Sequence, residues 1–285
     1  MVSFSPETSA SGIGDTGFYH ACWYRHTFDS PALEPGQRLI LHFGAVDYAA
    51  TVWVNDRLVA SHEGGYTPFK ADITGALVAG SQTIVVRAED DPHNLAKPRG
   101  KQDWLLKPHA IWYPRTTGIW QTVWCERVNA TAISSVRWTP NLTSWEFRLD
   151  ATLDGARRKN LRLRVKLHVG NMLLADDTYM VVGGEVHRRI ALSDPGIDDY
   201  RNELLWSPLQ PTLIHAHLQL WGGRSKLIDE VYSYTALRQV SIQGDRFLLN
   251  GRPFPLRLVL NQGYWPQSGI TAPNDAALRY DVELA

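Results

Sequence analysis

Between Arg38 and Glu126 the chain returns repeatedly to one pattern, a short run of β-branched and aromatic residues closed by a turn. Residues 38–43, 51–54, 57–60, 83–88 and 121–126 are such runs. Valine, isoleucine, threonine and the aromatics crowd a helix but fit a pleated, half-buried surface. Asn55-Asp56 separates Thr51-Val52-Trp53-Val54 from Arg57-Leu58-Val59-Ala60, and Gly64-Gly65 marks the next reversal. Helical periodicity is almost absent here, so residues 1–129 are expected to form a jelly-roll-type sandwich. A long irregular segment, from about Asp90 to Gly118, interrupts the pattern. Structureless loops beyond about 12–15 residues are uncommon in compact domains and tend to be functional.

Residues 130–237 behave differently. Trp145-Glu146-Phe147-Arg148-Leu149 and Leu161-Arg162-Leu163-Arg164-Val165-Lys166-Leu167 alternate apolar with charged side chains, as strands with one wet face do. His215 to Leu220 and Val231 to Tyr234 continue the pattern, and the spacing fits an immunoglobulin-like β-sandwich. From residue 238 a third pattern begins. Asn250-Gly251 predicts a two-residue type I′ hairpin turn. Pro255 to Leu260 is nearly all apolar, the mark of a strand buried on both faces, and Thr271-Ala272-Pro273-Asn274 announces a helix over 275–285. Strand then helix reads as the entrance to a (β/α)₈ barrel, which needs about 200–250 residues. The expected class is therefore all-β: two sandwiches, then the first strand and part of the first helix of a truncated barrel over 238–285.

Lysine plus arginine and aspartate plus glutamate balance at 29 each, leaving no basic field for nucleic acid or anionic membrane. No run approaches the ~18 apolar residues of a membrane span. The amino terminus shows no charged n-region or apolar h-region, which favours a cytoplasmic location. Cys22 and Cys125 cannot make a metal site alone and are read as buried free thiols. His215 and His217 share a strand face without a third ligand, so they read as surface histidines. No cofactor or metal is expected. The eleven tryptophans suit either a well-filled core or a sugar-stacking face.

Several stretches, in this order, resemble glycoside hydrolase family 2, the β-galactosidases, β-glucuronidases and β-mannosidases. They are Gly17-Phe18-Tyr19 with Trp23-Tyr24-Arg25, Phe43-Gly44-Ala45-Val46-Asp47 with Ala50 to Asn55, and His62 to Phe69. Pro98 to Gln102, Thr117 to Trp124 and Phe247 to Phe254 complete the set. The resemblance implies a retaining glycosidase whose two catalytic glutamates lie on later barrel strands, so no acidic residue of 1–285 is cast in either role and the chain alone is expected to be inactive. It also implies earlier jelly-roll strands ahead of Val2-Ser3-Phe4. Where β-galactosidase-like members carry Arg-Gly-Val-Asn-Arg-His, this chain has Arg257-Leu258-Val259-Leu260-Asn261-Gln262, so a galactoside or glucuronide specificity does not carry over.

Asn261, Gln262, Tyr264 and Trp265 follow the carboxyl end of the expected barrel strand, where barrel sites are built, and are candidate substrate contacts, with loop packing as the alternative. Trp112 and Arg115, on the long loop, could offer a ring face and a guanidinium to a sugar, or could dock domains. The competing function is a free-standing carbohydrate-binding or adhesion-type sandwich. Residues 255–285 argue against it, because such a module has no use for an orphan barrel strand. Sugar, linkage and oligomeric state are not legible in the sequence.

Overall fold

The computed structural model describes residues 4–17, 19–156, 158–192, 201–223 and 226–285, so Phe18 of the first motif and Val2-Ser3 lie outside the described residues. The chain divides into two compact units, residues 1–128 with 259–285, and residues 129–258. No described helix is long and apolar enough to cross a membrane.

In the first unit the strands are β1 (Ala21–Asp29), β2 (Gln37–Phe43), β3 (Val46–Asp47), β4 (Ala49–Val54), β5 (Arg57–Glu63), β6 (Phe69–Asp72), β7 (Ser81–Glu89), β8 (Gly118–Ile119) and β9 (Val123–Asn129). They form a four-stranded sheet, β1-β7-β4-β5, a three-stranded sheet, β6-β2-β9, and the short pair β3-β8. β4 and β7 alternate buried and partly exposed residues, as the sequence period of two requires. Leu39, Leu41 and Phe43 from one sheet meet Val52, Val54, Ile84 and Val86 from the other in a single core, which makes the unit a β-sandwich. The β4–β5 reversal falls on Asn55-Asp56, both at positive φ (48° and 63°), as a primed two-residue turn needs.

The second unit runs through β10 (Thr131–Asn141), β11 (Glu146–Gly155), β12 (Arg162–Val169), β13 (Met172–Met180), β14 (Glu185–Ala191), α1 (Arg201–Leu204), β15 (Ile214–Gly222) and β16 (Lys226–Thr235). Sheets β10-β11-β14 and β13-β12-β15-β16 enclose Phe147, Leu149, Leu163, Val165, Ile214 and Leu218. A small sheet of β17 (Val240–Gln243), β18 (Arg246–Leu249) and β19 (Arg252–Pro253) follows. Its second turn is Asn250-Gly251, with φ of 52° and 75°.

Two expectations change. Residues 254–260 form no strand, and Leu258, Val259 and Leu260 are 80%, 68% and 87% exposed. A strand buried on both faces exists only between neighbours that pair its backbone groups, and the described residues place none beside it. The helix does form, as α2 (Asp275–Leu284), with the Asn274 side chain accepting from the Ala277 amide at 2.9 Å. Its apolar side chains are exposed, Leu278 and Val282 included. The cysteines are free but not buried: Cys22 is half-buried and Cys125 exposed, because β1 and β9 each border their sheet and turn alternate residues outward. Of the tryptophans, Trp138 and Trp145 pack against the core of the second unit. Trp120 alone among the tryptophans is buried, since most lie on outward strand positions or in loops.

Candidate functional site

The loop after β7 is long yet ordered, because its own side chains replace a ladder. Asp91 accepts from the His93 amide at 2.9 Å and Asn94 from the Ala96 amide at 3.1 Å. The buried Asp103 carboxylate takes the Leu105 amide (3.0 Å), the His109 amide (2.7 Å) and His109 Nδ1 (2.8 Å). Backbone bonds between Asp103 and Tyr113 and between Tyr113 and Lys101, both 2.9 Å, fold the loop back on itself.

Arg115 ties the end of the loop to its start. Its Nη2 donates to the Asp90 carboxylate at 2.6 Å and to the Asp90 carbonyl at 2.7 Å, while Nε reaches Thr117 Oγ1 at 3.1 Å. The guanidinium is thus buried in the loop's own bonding. Trp112 is half-buried and meets Trp104 edge-on, 5.0 Å between ring centres. Arg99 lies over the Trp104 ring at 5.0 Å.

Residues 261–271 pack within the same unit. The Tyr264 ring stacks on Tyr113 at 3.9 Å with the planes 10° apart. Trp265, half-buried, closes a turn with Gly269 through two backbone bonds of 2.8 and 3.0 Å. Gln267 O accepts the Ala10 amide at 2.9 Å, and Thr271 Oγ1 donates to Trp120 O at 2.6 Å. Asn261 is exposed, its Oδ1 accepting the Gly263 amide at 2.7 Å, and Gln262 is half-buried. Tyr264 thus lies on Tyr113 of the loop, Trp112 packs on Trp104, and the Arg115 guanidinium is buried.

Below these rings is a polar network that the sequence reading did not pick out. Gln102 Nε2 donates to Asp47 Oδ2 at 2.6 Å and to the Tyr66 hydroxyl at 3.2 Å, and its Oε1 accepts the Thr116 amide at 2.7 Å. Trp120 Nε1 donates to Gly65 O at 2.8 Å. A side chain at Gly65 would run into the Asp47 carboxylate, so Gly65 serves a close approach as well as a turn. Asp47 was visible only as part of a motif, and nothing local marks its partner 55 residues later.

Burial pushes the Asp47 carboxyl up to about 7, Asp90 and Glu7 adding to the rise while the Gln102 hydrogen bond and Arg115 oppose it. Burial likewise raises Glu7, whose Oε2 accepts the Thr117 amide at 3.3 Å and whose Oε1 is buried without a partner. The folded state then holds a proton on Asp47 that the unfolded chain releases near pH 3.8. Its contribution to stability is fully present below that value and is lost as pH rises through about 7. Asp47→Asn should flatten the fall in stability between about pH 4 and 7, a difference on the order of a few kcal/mol. Urea melts of both proteins across that range check it, and parallel profiles would contradict the assignment.

Among the described residues no three His, Cys, Asp or Glu side chains gather as a metal ion would require. His217 instead meets Glu230 at 2.5 Å and stacks on Tyr232, and His215 stacks on His168, all on one outward sheet face.

Residues 17–121, which include the whole of this loop, match the glycosyl hydrolase 2 galactose-binding domain-like family. The chain is a relative of the family 2 glycoside hydrolases. It is 26% identical over 273 residues to a β-galactosidase of Thermoanaerobacter pseudethanolicus, covering 92% of this chain and 34% of that protein. It is 28% identical over 243 residues to a β-glucuronidase of Paenibacillus borealis, covering 81% and 38%. The chain thus spans roughly a third of the length of these curated relatives. Its fold is shared with Bifidobacterium dentium β-glucuronidase, solved with coumarin-3-O-glucuronide, at a TM-score of 0.77 and 22% identity over 99% of this chain and 50% of that one. A family 2 β-galacturonidase of Eisenbergiella tayi gives 0.72 at 20% identity, covering 99% and 46%. The alignment to the β-galactosidase extends past the matched domain, taking in 92% of this chain.

Proposed function

We propose that this chain is the non-catalytic N-terminal part of a family 2 β-glycosidase. In this reading a jelly-roll sandwich, an immunoglobulin-like sandwich and the first barrel elements shape and support a site where a retaining enzyme cleaves an O-glycosidic bond. The stack of Tyr264 on Tyr113 carries the proposal, because it joins the long loop to the segment that follows the apolar run 255–260. Trp112 and Trp265 then offer ring faces to a pyranose, and Asn261 and Gln262 offer amide groups. Arg115 serves the surface from beneath by fixing the loop to Asp90. The exposed Leu258, Val259 and Leu260 support the same reading, since barrel neighbours would cover them.

Retaining hydrolysis needs a nucleophilic carboxylate and a second carboxyl about 5–5.5 Å away that protonates the leaving oxygen. Both are assigned to barrel strands outside residues 1–285. The chain as it stands should therefore show no turnover of chromogenic β-galactoside, β-glucuronide, β-mannoside or β-glucoside. A chain extended along its coding region, through barrel strands bearing two glutamates, should turn over at least one of them. Hydrolysis that scales with purified 285-residue protein would overturn the proposal. A native reading frame without a barrel would favour the carbohydrate-binding module instead.

A further inference from the structure

The outward face of the second unit carries a cleft that owes nothing to the loop surface. β12 turns Leu163, Val165 and Leu167 into the core, so Arg162 and Arg164 must point outward. Register places Arg162 beside Trp221 of β15 on one side and Met180 of β13 on the other, with Arg164 beside Thr178. Between these side chains lies a concave space of about 610 Å³, lined by Asn160, Arg162, Arg164, Asp176, Thr178, Trp221, Gly222 and Gly223.

The two arginines differ. Arg164 is held by Asp176 in a bidentate pair, 2.8 and 2.7 Å, so its charge is already answered. Arg162 is exposed, and among the described residues no carboxylate is recorded within ion-pair distance of it. On this strand face the Arg162 guanidinium fork stands in register beside the Trp221 indole. The fork matches a carboxylate in shape and charge, and the ring offers an apolar plane of the size of a pyranose. Thr178 and Asn160 add hydroxyl and amide partners. At Gly222 a side chain would collide with Ile228, 2.8 Å away.

We propose that this cleft is a second carbohydrate site, selective for an acidic sugar: a hexuronate residue whose ring lies on Trp221 and whose carboxylate pairs with Arg162. It stands apart from the function proposed above, since binding here would be kept in a protein without turnover.

Calorimetric titration of the 285-residue chain with α-1,4-trigalacturonate tests it, with the fully methyl-esterified trisaccharide and inorganic phosphate as parallel probes. The acid should bind in the millimolar range or tighter, and the ester roughly tenfold more weakly. Phosphate should displace it only at concentrations at least about tenfold higher. Trp221→Ala should weaken binding of the acid roughly tenfold, and Arg162→Gln should reduce it to the level of the ester. Melting curves of both variants establish that they fold. If Trp221→Ala does not, Arg162→Gln at its exposed position decides the question. Absence of binding, equal binding of acid and ester, equal competition by phosphate, or indifference to Arg162→Gln would each overturn the proposal.

Discussion

Phe147→Ala is expected to cost the protein about 3–5 kcal/mol of stability. Phe147 lies on β11 with none of its surface exposed, and the edge of Trp138 meets it at 6.2 Å. Truncation removes a large transfer term and leaves a hole that two hydrogen-bonded sheets cannot close by sliding. Leu209→Ala, at a position 96% exposed in the same unit, should change stability by less than about 0.5 kcal/mol. Urea denaturation of the three proteins measures both effects. Comparable losses from the two substitutions would mean that the core is not where the buried residues place it.

The second large effect belongs to a glycine. Gly118→Ala should cost more than about 2 kcal/mol, from two causes that act together. Gly118 sits at φ +76°, where an L side chain is strained. A methyl group there would also occupy the place of the Tyr24 hydroxyl, which accepts the Ile119 amide at 3.2 Å. Tyr24→Phe in the Gly118→Ala background should recover part of the loss, whereas in the native background it should destabilise by forfeiting that hydrogen bond. A double-mutant cycle by thermal or urea melts separates the terms. Strict additivity would show that the hydroxyl is not what the methyl meets.

The turns were the most legible part of the sequence. Asn55-Asp56 and Asn250-Gly251 take the positive φ values their residue types allow, and Asn274 caps the helix it announces, because each of these is decided within four residues. The alternation of β12 gave its burial residue by residue for the same reason. Residues 255–260 show the limit of that logic. Their apolar run is suited to a buried strand, but a strand is made by its neighbours, and none pairs with it here. The site was least legible. Asp47 with Gln102, and Tyr113 with Tyr264, are partners far apart in the chain, joined by topology that no local pattern encodes. Arg115, a candidate by residue type, spends its guanidinium on the loop, whereas Gln102, which carries no such signal, holds the loop to the sandwich.

The bonds from Ala10 to Gln267 and from Thr271 to Trp120 have a consequence for synthesis. The strands and core of the first sandwich are all made by residue 129, yet residues 264–271 that pack on it leave the ribosome only after the whole of 129–258. Until then the Tyr113 ring, Trp120 O and the Ala10 amide lack the partners they have in the folded chain. The second unit, built largely from hairpins between neighbouring strands, can form in that interval.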